Sequence, residues 1–118
     1  HWMIDWDVGQ DRNNAGPDGQ PTTVVRRLQI VQEVGYYHLT NWGPITCHAS
    51  PDGSTHRFLL GSISCAKRRQ LEQIASETEV EEANGSWNCQ DWLISVLRRA
   101  VRENLLAEEK VSAAIASA

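Results

Sequence analysis

The sequence predicts an α+β domain: an antiparallel sheet of about five strands packed on two C-terminal helices. Three observations carry this. The N-terminal half holds short β-branched and aromatic runs of period two, broken by clusters of Gly, Pro, Asn and Asp. From Ser62 onward the apolar period lengthens to that of a helix. Strands therefore come first and helices after, without the strand–helix alternation that builds a parallel sheet.

The opening stretch alternates cleanly. Trp2, Ile4, Trp6 and Val8 share one face, and His1, Met3, Asp5 and Asp7 share the other, as in a half-buried strand. Gly9 to Pro21, rich in Asn, Asp and Gly, reads as a long flexible loop with room for a lid. Thr22 to Glu33 is a second strand with Val24, Leu28 and Ile30 on one face. Tyr36 to Trp42 is a third, ended by Gly43-Pro44, and Val34-Gly35 between them is a turn or a bulge. Ile45 to Ser50 and Thr55 to Leu60 flank Pro51-Asp52-Gly53-Ser54, which reads as a β-hairpin.

The first helix begins at Ser62 or Ser64 and runs to about Glu77, with Ala66, Leu71, Ile74 and Ala75 inward and Lys67, Arg68 and Arg69 solvated. A charged connection containing Asn84-Gly85 leads to the main helix, which extends to about Leu106. Residues 1–106 form the expected domain. Residues 107–118 are an Ala-rich helical tail and the expected surface for a homodimer.

Composition narrows the function classes. At 118 residues, 41% apolar and 22% charged, the chain suits one soluble domain with one modest core. A net charge of −4 gives no general attraction to nucleic acid. No run reaches the length of a membrane span, so no membrane insertion is expected, and no signal peptide is visible. Three widely spaced cysteines, Cys47, Cys65 and Cys89, fit a reducing compartment better than a disulfide framework, and the expected location is cytoplasmic. No Cys-x-x-Cys or His-x3-His pair anchors a metal, and neither a metal nor a cofactor is expected.

The most informative stretch is Ser86-Trp87-Asn88-Cys89-Gln90-Asp91-Trp92-Leu93. Asn88 is a good N-cap, and Asp91 can answer it in a box-like arrangement. Cys89 then becomes the first helical residue, where unpaired backbone N–H groups and the helix dipole favour a thiolate. It shares the inward face with Trp92, Leu93, Val96, Leu97, Ala100 and Val101. A cysteine nucleophile needs a base, and four histidines are available. His1 and His38 lie on predicted strands that can face the Cys89 helix, whereas His48 and His56 bracket the Pro51–Ser54 turn. Cys65 is the rival thiol, near the other helix start and beside Lys67, Arg68 and Arg69. Asp5, Asp7 and Asp11 read as solvated acids of strand and loop.

Two motifs carry a resemblance. His1-Trp2-x-x-x-x-Asp7-Val8-Gly9 resembles the His-Trp-x-x-x-x-Val-Gly strand of the lecithin:retinol acyltransferase and phospholipase A/acyltransferase families. Asn88-Cys89-Gln90-Asp91-Trp92 resembles their Asn-Cys-Glu-His-Phe helix start, and Tyr37-His38-Leu39 is similar to their second histidine strand. The layout also resembles small fungal proteins of unassigned activity that begin with His-Trp and end with Asn-Cys-x-x-Trp. The resemblance implies a circularly permuted, NlpC-type papain-like fold. It implies Cys89 as nucleophile, His1 as general base and His38 as the group that orients the imidazole. The implied activity is thiol-dependent acyl transfer, a hydrolase or transferase acting on an ester, thioester or amide, or a tailoring step of small-molecule biosynthesis. The chain has no long apolar tail, so a phospholipid substrate is not implied.

Trp2, Trp42, Trp87 and Gln90 are the candidate substrate-binding residues, since the five tryptophans lie close to the site motifs in sequence. The alternative is a non-catalytic binding module whose Trp-lined cleft holds an aromatic small molecule or a peptide.

Overall fold

A computed structural model of the protein describes residues 2–15, 19–32, 39–49, 56–80 and 89–117. The fold is α+β with an antiparallel sheet. Its elements in order are β1 (Ile4–Ala15), β2 (Pro21–Leu28), β3 (Val31–Gln32), β4 (Leu39–Thr40), β5 (Ile45–His48), α1 (Cys65–Glu77), α2 (Cys89–Arg102) and α3 (Glu108–Ser117). Among the described residues the strands do not form one five-stranded sheet. They form a three-stranded sheet in the order β1-β2-β5 and a separate β3-β4 ladder, with three helices rather than two.

Ile4 and Leu28 pair across β1 and β2, as do Trp6 and Arg26, which places these four on one face. The helices cover that face. Ile4, Leu28 and Ile30 join Leu71, Ile74 and Ala75 of α1, Trp92, Leu93, Val96, Leu97 and Ala100 of α2, and Val111 of α3 in one buried cluster. Burying a Leu, Ile or Val side chain contributes about 1.5–3 kcal/mol, so this cluster, far more than helix propensity, holds α1–α3 in place. Val25, on the opposite face, is fully buried apart from that cluster.

Two sequence expectations about strands are corrected. Residues 9–15 were expected in a loop, yet β1 runs on to Ala15 because Gly9, Gln10 and Asp11 pair with Val24, Thr23 and Thr22. Backbone pairing with a β-branched neighbour outweighs the turn-forming composition. Between Asp7 and Gly9 the register shifts by one, leaving Val8 as the extra residue of a bulge and half exposed rather than inward. The expected 45–60 hairpin is also absent from the described part: residues 56–60 form no strand, and β5 pairs with β2 instead. The turn at residues 51–54 lies outside the described residues.

The helices follow their sequence signals more closely. Ser64 caps α1, its Oγ accepting from the Lys67 N–H at 3.3 Å. Ala66, expected inward, is exposed, while Leu71, Ile74 and Ala75 are buried. α2 stops at Arg102 instead of Leu106 because Asn104 takes a left-handed φ of 60°. Leu105 N–H then donates to Ala100 O at 2.9 Å and Asn104 N–H to Val101 O at 3.0 Å, a Schellman motif in which buried Leu105 closes over Ala100. The turn sends α3 back onto the core, so Val111 and Ile115 pack within the chain.

Candidate functional site

Cys89 is the first residue of α2 and carries a free thiol. It is half-buried and packs against the main core. Trp2, just before β1, packs against the same core, so the beginning of the chain and the start of α2 share one hydrophobic centre. Gln90 follows, also half-buried. Asn88, His1, His38 and Trp87 lie outside the described residues.

The last turn of α1 organises this end of the molecule. Trp92, one turn into α2 and only 1% exposed, donates its indole N–H to the carbonyl of Thr78 at 3.3 Å. Thr78 is the C-cap of α1, fixed by its own N–H and hydroxyl donating to Ile74 O at 3.0 and 2.7 Å. Three residues earlier, the Ala75 carbonyl accepts from Asn41 Nδ2 at 3.1 Å. Asn41 Oδ1 in turn accepts from the Gly43 N–H at 2.9 Å, with Gly43 at a φ of 81° that glycine adopts without a steric penalty.

Trp42 sits on this bolted turn, 66% exposed. Asn41, the neighbour of Trp42, and Trp92, one turn into α2, thus each bond to a carbonyl at the end of α1. Trp42 is a presented aromatic plate, whereas Trp2 and Trp6 are half-buried core packing and Trp92 is fully core.

A salt bridge reinforces the same corner. Arg99 of α2 contacts Glu77 of α1 at 2.6 Å and Glu103 at 2.7 Å. The Arg99 guanidinium holds the Glu77 carboxyl below its ordinary range, and Glu77 in turn pushes the Arg99 pKa up.

Cys65 has a setting of its own. It is the first residue of α1, exposed, and Arg68 Nη2 donates to its sulfur at 3.1 Å. Both rival thiols thus open helices. They differ in that Cys89 packs against the core and Cys65 is exposed. Cys47 is a half-buried residue of β5.

Of the three acids expected to be solvated, Asp7 is exposed, while Asp5 and Asp11 are partnered. Arg27 donates from Nε and Nη2 to the two carboxylate oxygens of Asp5 at 2.8 and 2.9 Å, and this raises the Arg27 pKa. His48 Nε2 lies 2.9 Å from Asp11 Oδ2, across the sheet from β5 to β1. That hydrogen bond lowers the Asp11 pKa. Arg26 links three elements, donating to Glu72 of α1 at 3.0 Å and to Thr46 of β5 at 3.1 Å. None of these pairs is readable from spacing, since each needs the strand register first.

Among the described residues no helix is long and apolar enough to cross a membrane. Comparison with protein-family models, with curated proteins and with solved structures finds no match.

Proposed function

We propose that the protein is a thiol-dependent acyl-transfer enzyme, a hydrolase or transferase on an ester, thioester or amide, with Cys89 as nucleophile. One observation supports the reading: the free, half-buried Cys89 is the first residue of α2 and packs against the core. A thiol at a helix start has backbone N–H groups and a positive dipole end beside it, which favour attack as thiolate and stabilise a developing oxyanion.

In this reading His1 takes the thiol proton, His38 holds the imidazole in the required tautomer, and the acyl group passes from sulfur to water or an amine. Trp42, Trp2, Trp87 and Gln90 contact the substrate, a small molecule or peptide with a flat or apolar part. The architecture is the permuted papain-like one, in a reducing, cytoplasmic setting, and the reaction belongs to small-molecule tailoring.

The test is competitive alkylation with iodoacetamide at neutral pH, followed by a panel of activated esters and thioesters. Cys89 reacts ahead of Cys47 and Cys65, and Cys89→Ala and His1→Ala each abolish turnover. Equal labelling of the three thiols with undiminished turnover in Cys89→Ala sinks the reading. The exposed Trp42 favours one alternative, a non-catalytic module that binds an aromatic ligand or peptide. In that case ligands quench tryptophan fluorescence equally in wild type and Cys89→Ala, without turnover.

A further inference from the structure

We infer that the segment leading into α1, together with the first two turns of that helix, is a surface that docks on an anionic phospholipid bilayer. Arg57, Phe58, Leu59, Lys67, Arg68 and Arg69 make the contact. The inference stands apart from the thiol reading.

Charge is segregated along this chain. Residues 56–71 hold four Lys and Arg and no Asp or Glu, whereas the remainder holds seven Lys and Arg against fifteen Asp and Glu. One short stretch is therefore strongly basic in a protein that is otherwise acidic. Arg57, Lys67 and Arg69 are exposed, and half-buried Arg68 donates from Nη2 to the Cys65 sulfur at 3.1 Å. Arg26, Arg27 and Arg99 are each paired with a carboxylate; among the described residues none of these four cations is.

α1 also carries its charges against its own dipole. Lys67 stands in its first turn, Arg68 and Arg69 follow, and Glu72 and Glu77 come towards its end. α2 has the opposite order, with Asp91 in its first turn and Arg99 and Arg102 in its last, and α3 opens on Glu108 and Glu109. Cations beside the positive end of a helix weaken it, so folding alone gives no reason for the order in α1. A negatively charged surface facing that end removes the conflict.

The same stretch exposes large apolar side chains, Phe58 at 43% and Leu59 at 81%. The chain just beyond them is held down, since Leu60 and Ile63 pack against the core and Ser64 caps α1. The link from Leu59 to Ser64 spans at most about 17 Å, which keeps the apolar pair close to the basic helix start. Apolar side chains entering the acyl boundary beside cations that meet headgroups make a peripheral membrane contact. A polyanion without an apolar phase would leave Leu59 in water. The contact is on the membrane surface only, for among the described residues no helix is long and apolar enough to cross it.

The experiment is co-sedimentation of the full chain with vesicles of phosphatidylcholine, alone or with about a third of phosphatidylserine. The protein partitions onto the mixed vesicles at low salt and stays in solution with phosphatidylcholine alone. Each cation near such a surface contributes about fivefold to partitioning, so Lys67→Gln/Arg69→Gln lowers it about 25-fold. Leu59→Ser lowers it about tenfold, and added salt weakens binding of the wild type. All three positions are exposed, so the variants leave the core intact. Absence of sedimentation, equal binding to both vesicles, or undiminished binding of Lys67→Gln/Arg69→Gln overturns the inference. Loss in that variant with full binding in Leu59→Ser assigns the surface to a soluble acidic partner, and this too overturns it.

Discussion

Asp5 and Arg27 stand opposite one another on β1 and β2, joined by two near-parallel hydrogen bonds of 2.8 and 2.9 Å. Each side chain is 13% exposed, on the sheet face opposite Ile4 and Leu28. A planar guanidinium meeting a carboxylate in this fork fixes the register of two strands as well as their charge balance. Removing one partner leaves the other half-buried and unpaired. Asp5→Ala is therefore expected to lower stability by about 1–2 kcal/mol, and the double variant Asp5→Leu/Arg27→Met to recover part of that loss. Urea unfolding of the two variants checks it, and a double variant that loses more than Asp5→Ala would show that the pair has no coupling.

Val8 and Ile4 separate bulge from core. Val8→Lys is expected to stay within about 0.5 kcal/mol of wild type, because the side chain is half exposed at the extra position. Ile4→Ala, in the buried cluster, costs about 2–4 kcal/mol. Thermal melts of the two variants rank them, and a large loss in Val8→Lys contradicts the bulge assignment.

Asn104 holds the left-handed position that ends α2. Asn104→Gly is expected to be neutral or slightly stabilising, and Asn104→Val to cost about 1–2 kcal/mol because a β-branched side chain is disfavoured at positive φ. Equal melting temperatures for the two variants would contradict the Schellman geometry.

Acid stability depends on two carboxylates. The His48 hydrogen bond holds Asp11 below its ordinary value of 3.8, and Arg99 holds Glu77 below its ordinary value of 4.5. A carboxyl depressed in the folded state contributes stability above the ordinary value and loses it as pH falls through the depressed one. The urea midpoint is thus expected to fall below about pH 4.5, with a shallower fall in Glu77→Gln and Asp11→Asn. Both groups are on the surface, so added salt reduces the effect. An identical acid limb in both variants excludes these pairs as its source.

Much of the helical half was legible in the sequence. Ser64 before Cys65, and the Trp92-Leu93-Val96-Leu97-Ala100 spacing, mark a cap and an inward face that depend only on local geometry. The sheet was less legible because pairing is non-local. Nothing in Gly9-Gln10-Asp11 announces Val24, Thr23 and Thr22 as partners, and nothing in Ile45 to His48 distinguishes β2 from the next segment as its neighbour. For the site, the helical position of Cys89 followed from spacing, and the exposure of Trp42 did not. The four described tryptophans, Trp2, Trp6, Trp42 and Trp92, sort into plate, packing and anchor only after Asn41 and Thr78 are in place.

The extra residue at Val8 has a consequence for how the protein behaves in a crowded solution. Among the described residues β1 occupies an outer place in the order β1-β2-β5, the position from which sheets of separate molecules join edge to edge. A straight twelve-residue ribbon there would template a foreign strand along its length. The kink at Val8 and the second irregularity before Ala15 break that length into short pieces that no regular intruder can follow. The strand is thereby protected from fibril-like stacking, and restoring its straightness by deleting Val8 would trade that protection for a cleaner ladder.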